Sequence, residues 1–391
     1  MFKWRRKSGV YTNVDGTHAP PRCSIMVEWV LSREDIEDIA VGAAVLGTGG
    51  GGDPYLGKLM ALQVLEKGKK IVLVDPKDVD DNAFIIAPAF MGTPVTMFEK
   101  LPSGIESVKV VEMLEEYFGR KADYLTPIEA GGLNSTIPLF VGAITGRTLI
   151  DGDGMGRAFP ELQMVTFHLY GVKATPMALA DEKGNGVILD TVDNFWAEKI
   201  ARVITIRVGG WAAIAIYPMK GDVYKKAVVA NTMSKAAEIG RAIREAKKHG
   251  KNPIDAVLDV TRGYRLFEGK IVDVSRWITS GFAKGRVLIE GLNEFKGKKM
   301  EIEFQNENLI ARLGGEVVAS VPDLISILDF ETTEPITTER LRYGYRVIVI
   351  GIPCDPKWRS PKALEVVGPK YFGYDVDYIP IEERVKRIGL A

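Results

Sequence analysis

The sequence predicts an α/β protein: an N-terminal layered α/β domain with a largely parallel sheet, then a C-terminal domain containing a small antiparallel β barrel or sandwich. Three observations predict it. From Ser32 to about residue 190, helix-period segments alternate with short apolar runs, the pattern of strands joined through helices. Glycine-rich turns follow several of those runs. After about residue 190 the texture changes, and from about 265 to 330 short alternating strands are separated by turn residues.

The elements follow in order. Residues 1–25 mix basic, Gly/Pro and polar residues without a period and lack the apolar core of a secretory signal, so they are expected to be a disordered or mis-assigned leader before a natural start at Met26. Ser32 is placed to cap a helix over 33–46, with Asp35 three residues on in a capping-box arrangement. A second helix opens at Pro54 with Asp53 as its N-cap. Strands are expected at 71–75, 83–90, 123–129 and 147–153, and helices near 105–118 and 135–146. Beyond 190, residues 194–210 look helical, 211–219 strand-like, and 225–250 like one long amphipathic helix ended by Gly250. Turns are expected at Glu268-Gly269, Lys284-Gly285, Lys296-Gly297 and Gly314-Gly315. The expected units are 26–190 and 191–391.

Composition excludes several functions. Lys+Arg and Asp+Glu are both 51, a formal net charge of zero, which argues against a nucleic-acid or anionic-membrane partner. Only Cys23 and Cys354 occur, far apart, which suits a reducing cytoplasm and leaves no cysteine-built metal site. No apolar run reaches the roughly 18–20 residues that a membrane span needs.

The chemistry is expected at the glycine-rich turns. Gly49, Gly50, Gly51 and Gly52 expose backbone amides just before the helix that Asp53 caps, which suits an anionic or carbonyl-bearing ligand; a tight turn that merely packs is the alternative. No Gly-Lys-Ser/Thr closes the run and a helix leads into it, so no nucleotide cofactor is expected. Asp151 and Asp153 end an apolar strand, where open α/β sheets place their sites. Such a pair could hold a divalent metal, position a cation, or act as acid and base, and Arg157 could neutralise one of them. His168 is the one histidine within a patterned segment and is a candidate acid or base. Thr93 and the turn from Glu129 to Asn134 end other apolar runs, and these turns are expected to converge with the Asp151–Gln163 stretch on one crevice.

The stretch Leu46 to Pro54, the run from Asp151-Gly152-Asp153 through Gly156-Arg157-Ala158 to Pro160-Glu161-Leu162-Gln163-Met164, and the tail Gly368-Pro369 with Phe372-Gly373-Tyr374-Asp375 together resemble the S-methyl-thiohydantoin desulfurase-like family. The resemblance covers the chain from about Met26 onward. It implies a small-molecule substrate, a five-membered cyclic imide or thio-imide, with hydrolytic replacement of a sulfur substituent by oxygen. On that reading Asp151 and Asp153 would activate water or bind a metal, His168 would donate a proton, and the Gly49–Gly52 amides would contact the ring. Asp53, Thr93, Glu129, Asn134, Arg157, Glu161 and Gln163 complete the expected binding set. The resemblance also implies a hydantoinase/oxoprolinase-type subunit as partner, which leaves a non-catalytic accessory role open, beside a metal-dependent hydrolase of another substrate class. The helix expected at 225–250 could furnish a homo-oligomer interface, or an internal one.

Overall fold

The computed structural model describes residues 5–6, 27–93 and 96–390. The expected start at Met26 and most of the expected leader lie outside the described residues; Arg5–Arg6 pairs as a short antiparallel strand with Glu28 and Val27. Among the described residues the first sheet has nine strands. Their order is Arg5–Arg6, Val27–Val30, Val72–Val74, Thr148–Ile150, Tyr124–Leu125, Phe84–Gly92, Trp211–Lys220, Met177–Ala180 and Gly186–Leu189. The sheet is mixed rather than largely parallel. The four central strands run parallel, while both flanks are antiparallel. Physical cause lies in the connections: Met177–Ala180 and Gly186–Leu189 are joined by a tight turn that the Asp181 carboxylate caps, and a turn that short permits only antiparallel pairing. The apolar strand Trp211–Lys220 comes from beyond residue 190 and sets Trp211 opposite Gly92.

The helices on this sheet begin where their sequence signals lie. Ser32 and Asp35 form the reciprocal capping box of Arg33–Leu46, and Asp53 accepts the Tyr55 amide at the start of Pro54–Glu66. The segment 225–250 is not one helix. Gly221–Ala227 ends at Val228, Val229–Ala230 pairs with Gly152–Asp153, and Asn231 adopts left-handed φ of 61° before Thr232–Lys248 begins. β-branched Val228 and Val229 favour that extended interruption. The apolar face of Thr232–Lys248 is spent inside the chain, with Ala236, Ile239 and Ile243 in the same core as Ile36, Ile39 and Ala43 of Arg33–Leu46.

Among the described residues the second sheet has seven antiparallel strands in the order Glu316–Ser320, Glu307–Leu313, Lys299–Gln305, Phe282–Gly291, Tyr264–Thr279, Arg346–Ile352 and Leu324–Asp329. It curls into a half-barrel instead of closing as a barrel or stacking as a sandwich, because its two end strands do not pair with each other. Ile381 and Val385 of the helix Ile381–Arg387 pack into its concave core with Leu266, Val287 and Val349. Glu268-Gly269 and Lys284-Gly285 are not turns but lie inside the long strands Tyr264–Thr279 and Phe282–Gly291. A Cβ on Gly285 would come within 2.2 Å of the Ser275 carbonyl oxygen, so glycine there lets two backbones of a strongly curved pair approach closely. No helix among the described residues is long and apolar enough to cross a membrane.

Candidate functional site

The glycine run is the seam between the two sheets. Thr48 and Gly49 offer their carbonyls to the amides of Asn308 and Thr338, both at 2.8 Å, while Gly51 offers its own to Leu133 of the next glycine-rich turn, also at 2.8 Å. Gly49, Gly51 and Gly52 hold φ of 84°, 73° and 77°, values that favour glycine. Gly50 has a different reason to be glycine: a Cβ there would sit 2.1 Å from Oε1 of Glu307. The loop is bare so that a carboxyl from the second sheet can enter.

That carboxyl faces a cleft with about 70 Å³ of open space, room for a few water-sized groups before any side chain moves. Gly51, Gly52, Glu129, Asn134, Asn306 and Glu307 form its polar wall. Met91, Ile128, Phe159, Leu162 and Ile214 form its apolar one. Arg202 and Glu161 also reach it.

Glu129 is buried at the turn that follows Tyr124–Leu125. Its Oε1 accepts the Asn134 side-chain amide at 2.6 Å, and its Oε2 is buried without a partner. Asn134 is fixed in turn, because it also donates to the Phe90 carbonyl and accepts the Phe90 amide. Burial, and then the charge of Glu307, push the Glu129 carboxyl well above the ordinary range. Glu307 is likewise buried with an unpartnered Oε2. Burial pushes it up to about 8, against the pull of the Arg157 charge and the Gly51 amide. Two carboxyls in one dry wall cannot both ionise cheaply, so the pair keeps at least one proton near neutral pH.

Arg202 is ion-paired to Glu198 at 2.7 Å and donates to the Pro160 carbonyl at 3.0 Å. Glu161 accepts the Tyr371 hydroxyl at 2.8 Å and a hydrogen bond from Gln163, whose amide also donates to Tyr371 at 3.0 Å. Tyr371 lies between the two pieces of the tail motif, Gly368-Pro369 and Phe372-Gly373-Tyr374-Asp375, and its bond to Glu161 ties that tail to a residue of the cleft.

The other expected residues lie elsewhere. Asp151 is buried beneath the N-terminus of Thr232–Lys248, where its Oδ1 accepts the Met233 and Ser234 amides at 3.0 Å each and its Oδ2 takes the Ser234 hydroxyl. It is a helix anchor. Asp153 turns its Oδ1 onto the Met155 and Gly156 amides, and burial raises it to about 7. It stands behind the cleft, close enough for its charge to raise Glu129 further. His168 is half-buried, with Nδ1 at 3.0 Å from the Asn194 side-chain amide and its ring edge-on to Phe195, away from the cleft wall. Arg157 is fully buried, spending its donors on Thr48 and on the carbonyls of Ala158, Pro322 and Asp323. It ties the first sheet to the second. Asp53 caps its helix and pairs with Arg340. Thr93 sits beside Gly92 and donates to the Gly281 carbonyl at 3.2 Å. Among the described residues no group of three or more His, Cys, Asp and Glu is arranged to hold a metal. Cys354 is buried near Tyr378, and burial pushes its thiol up to about 12.

Asp151→Ala is therefore expected to cost about 2–4 kcal/mol of stability, since it strands three buried donors at a helix start. Urea denaturation measures it, and turnover in the folded variant should stay near that of the parent.

Glu307 and Arg202 were not anticipated. The available signal is Glu307-Asn308, two polar residues heading the apolar run Leu309-Ile310-Ala311, both buried although such residue types normally face water.

Residues 34–191 match the S-Me-THD-like N-terminal domain, and residues 192–381 match the S-Me-THD-like C-terminal domain. The chain belongs to the S-Me-THD-like family. Its fold is also that of a protein from Chromobacterium violaceum known from a crystal structure, with a TM-score of 0.75 and 24% identity over 90% of this chain and 99% of that one. No curated protein matches significantly. In this S-Me-THD-like chain the boundary between the matched domains falls after residue 191, whereas the first sheet borrows Trp211–Lys220 from the second match.

Proposed function

We propose that this S-Me-THD-like protein hydrolyses an S-methyl thiohydantoin or a closely similar five-membered thio-imide, with Glu129 and Glu307 as its acid–base pair. The supporting observation is two buried carboxyls, each with an unpartnered oxygen, on one small and partly apolar cleft. The ionised carboxyl takes a proton from water as the water oxygen bonds to the ring carbon bearing the S-methyl group. The neutral carboxyl gives its proton to the adjacent ring nitrogen as the C=N bond becomes single. The carbonyl then forms as the C–S bond breaks, its hydroxyl proton passing to the carboxylate that had protonated the ring nitrogen, and methanethiol leaves with the proton first taken from water. Ring and water thus become hydantoin and methanethiol, with the carboxyl pair again holding one proton. General acid–base groups of this kind supply about 10²–10⁴-fold each.

The test is incubation with hydantoins, thiohydantoins and S-methyl thiohydantoins, following ring absorbance and thiol release together. Stoichiometric thiol and hydantoin support the proposal. Absence of thiol release across the S-methyl rings overturns it.

A second reading, an accessory subunit of a hydantoinase-type complex, draws on the outer face of the helix Asn194–Arg207, where Trp196 and Val203 are 49% and 67% exposed. Stable co-purification with such a subunit, with no turnover by the chain alone, would favour it.

A further inference from the structure

We infer that the cleft selects its ligand through a ring N–H: it takes a neutral cyclic amide or imide edge, with N–H and C=O side by side, and rejects anionic and fully N-alkylated rings. This rests on the proposed reading of the cleft and adds the rule by which it chooses among rings.

The inference comes from what the polar wall has left to offer. Asn134 has spent both side-chain hydrogens, on Glu129 and the Phe90 carbonyl, and its oxygen on the Phe90 amide. The Arg202 charge is answered by Glu198, and Arg157 directs four of its five N–H donors away from the wall. Asn306, which also lines the cleft, spends its side-chain oxygen on the Ala283 amide. The buried side-chain atoms of the wall left without a partner are Oε2 of Glu129 and Oε2 of Glu307. Both are carboxyl oxygens. With at least one of them protonated, they present a donor and an acceptor, the complement of an amide edge. Three carboxyls, Glu129, Glu161 and Glu307, reach the cleft against one ion-paired arginine, so a carboxylate or deprotonated ring would enter against like charge. A ring with both nitrogens methylated would bury a carboxyl oxygen with nothing to accept, a penalty that hydrogen-bonding sites enforce strongly.

Calorimetric titration tests this with three product-like rings that need no turnover: hydantoin, 1,3-dimethylhydantoin and hydantoin-5-acetate. Hydantoin is expected to bind about 10- to 100-fold more tightly than either of the others. Glu307→Gln, which keeps the shape, should shrink the preference for hydantoin over the dimethyl ring. Equal or tighter binding of 1,3-dimethylhydantoin overturns the N–H rule while leaving the hydrolytic reading standing on thiol release. Tighter binding of the acetate overturns the charge rule in the same way. Binding of none of the rings, together with no thiol release from S-methyl thiohydantoins, overturns the rule and the reading beneath it.

Discussion

Glu307→Gln is expected to lower turnover of an S-methyl thiohydantoin by about 10²–10⁴-fold, because the pair then loses the member that exchanges its proton near neutral pH. The same substitution should make the protein more stable in mild alkali. Glu307 sits at about 8 in the folded protein, against an ordinary 4.5, because burial disfavours its charge. A raised acid helps the fold while protonated in both states, below the unfolded value, and that help is lost as pH climbs from about 4.5 to about 8. Over this window the wild type should shed about 2–4 kcal/mol on account of Glu307. Glutamine cannot ionise, so the variant should lack that slope. Urea denaturation at pH 5 and pH 8.5 reads the difference directly, and equal slopes in wild type and variant would place Glu307 in water.

Gly50→Ala should separate activity from stability in the opposite sense. The added Cβ meets Oε1 of Glu307 at 2.1 Å and its Cδ and Cγ at 2.5 Å. Because those atoms belong to a flexible side chain, the loop can survive by expelling the carboxyl from its place. A stability loss of about 1–3 kcal/mol is expected from the crowding. Turnover should fall about 100-fold, the cost of misplacing a reacting group by about 1 Å. Unchanged kcat in this variant would mean that the Glu307 position does not matter to the chemistry.

Local signals in the sequence were legible, and those that depend on distant partners were not. Ser32 with Asp35, and Asp53 with Pro54, mark their helix starts through bonds spanning two or three residues, and the fold shows both. The glycine turns at 49–52 and 131–132 do meet, and they bring Glu129 and Asn134 to one wall. Asp151 reads as catalytic because it ends a strand beside Asp153. Its partners lie more than 80 residues on, at a helix start hidden inside what looks like one uninterrupted helix from 225 to 250. Only the left-handed Asn231 reveals that start. Glu307 escaped for a related reason: nothing near it in sequence says that its strand edge faces a glycine loop some 250 residues earlier. Parallel pairing was overestimated because strand and helix alternation cannot show that Trp211–Lys220 returns to the first sheet in the opposite direction.

The most direct test of where the chemistry resides sets two folded variants side by side, kcat/KM for thiol release by Glu307→Gln and by Asp151→Ala, measured at a temperature where both are native. Loss in Glu307→Gln with near-parental activity in Asp151→Ala is the predicted result. Full activity in Glu307→Gln with loss in Asp151→Ala would contradict it and return the site to the aspartate edge of the first sheet.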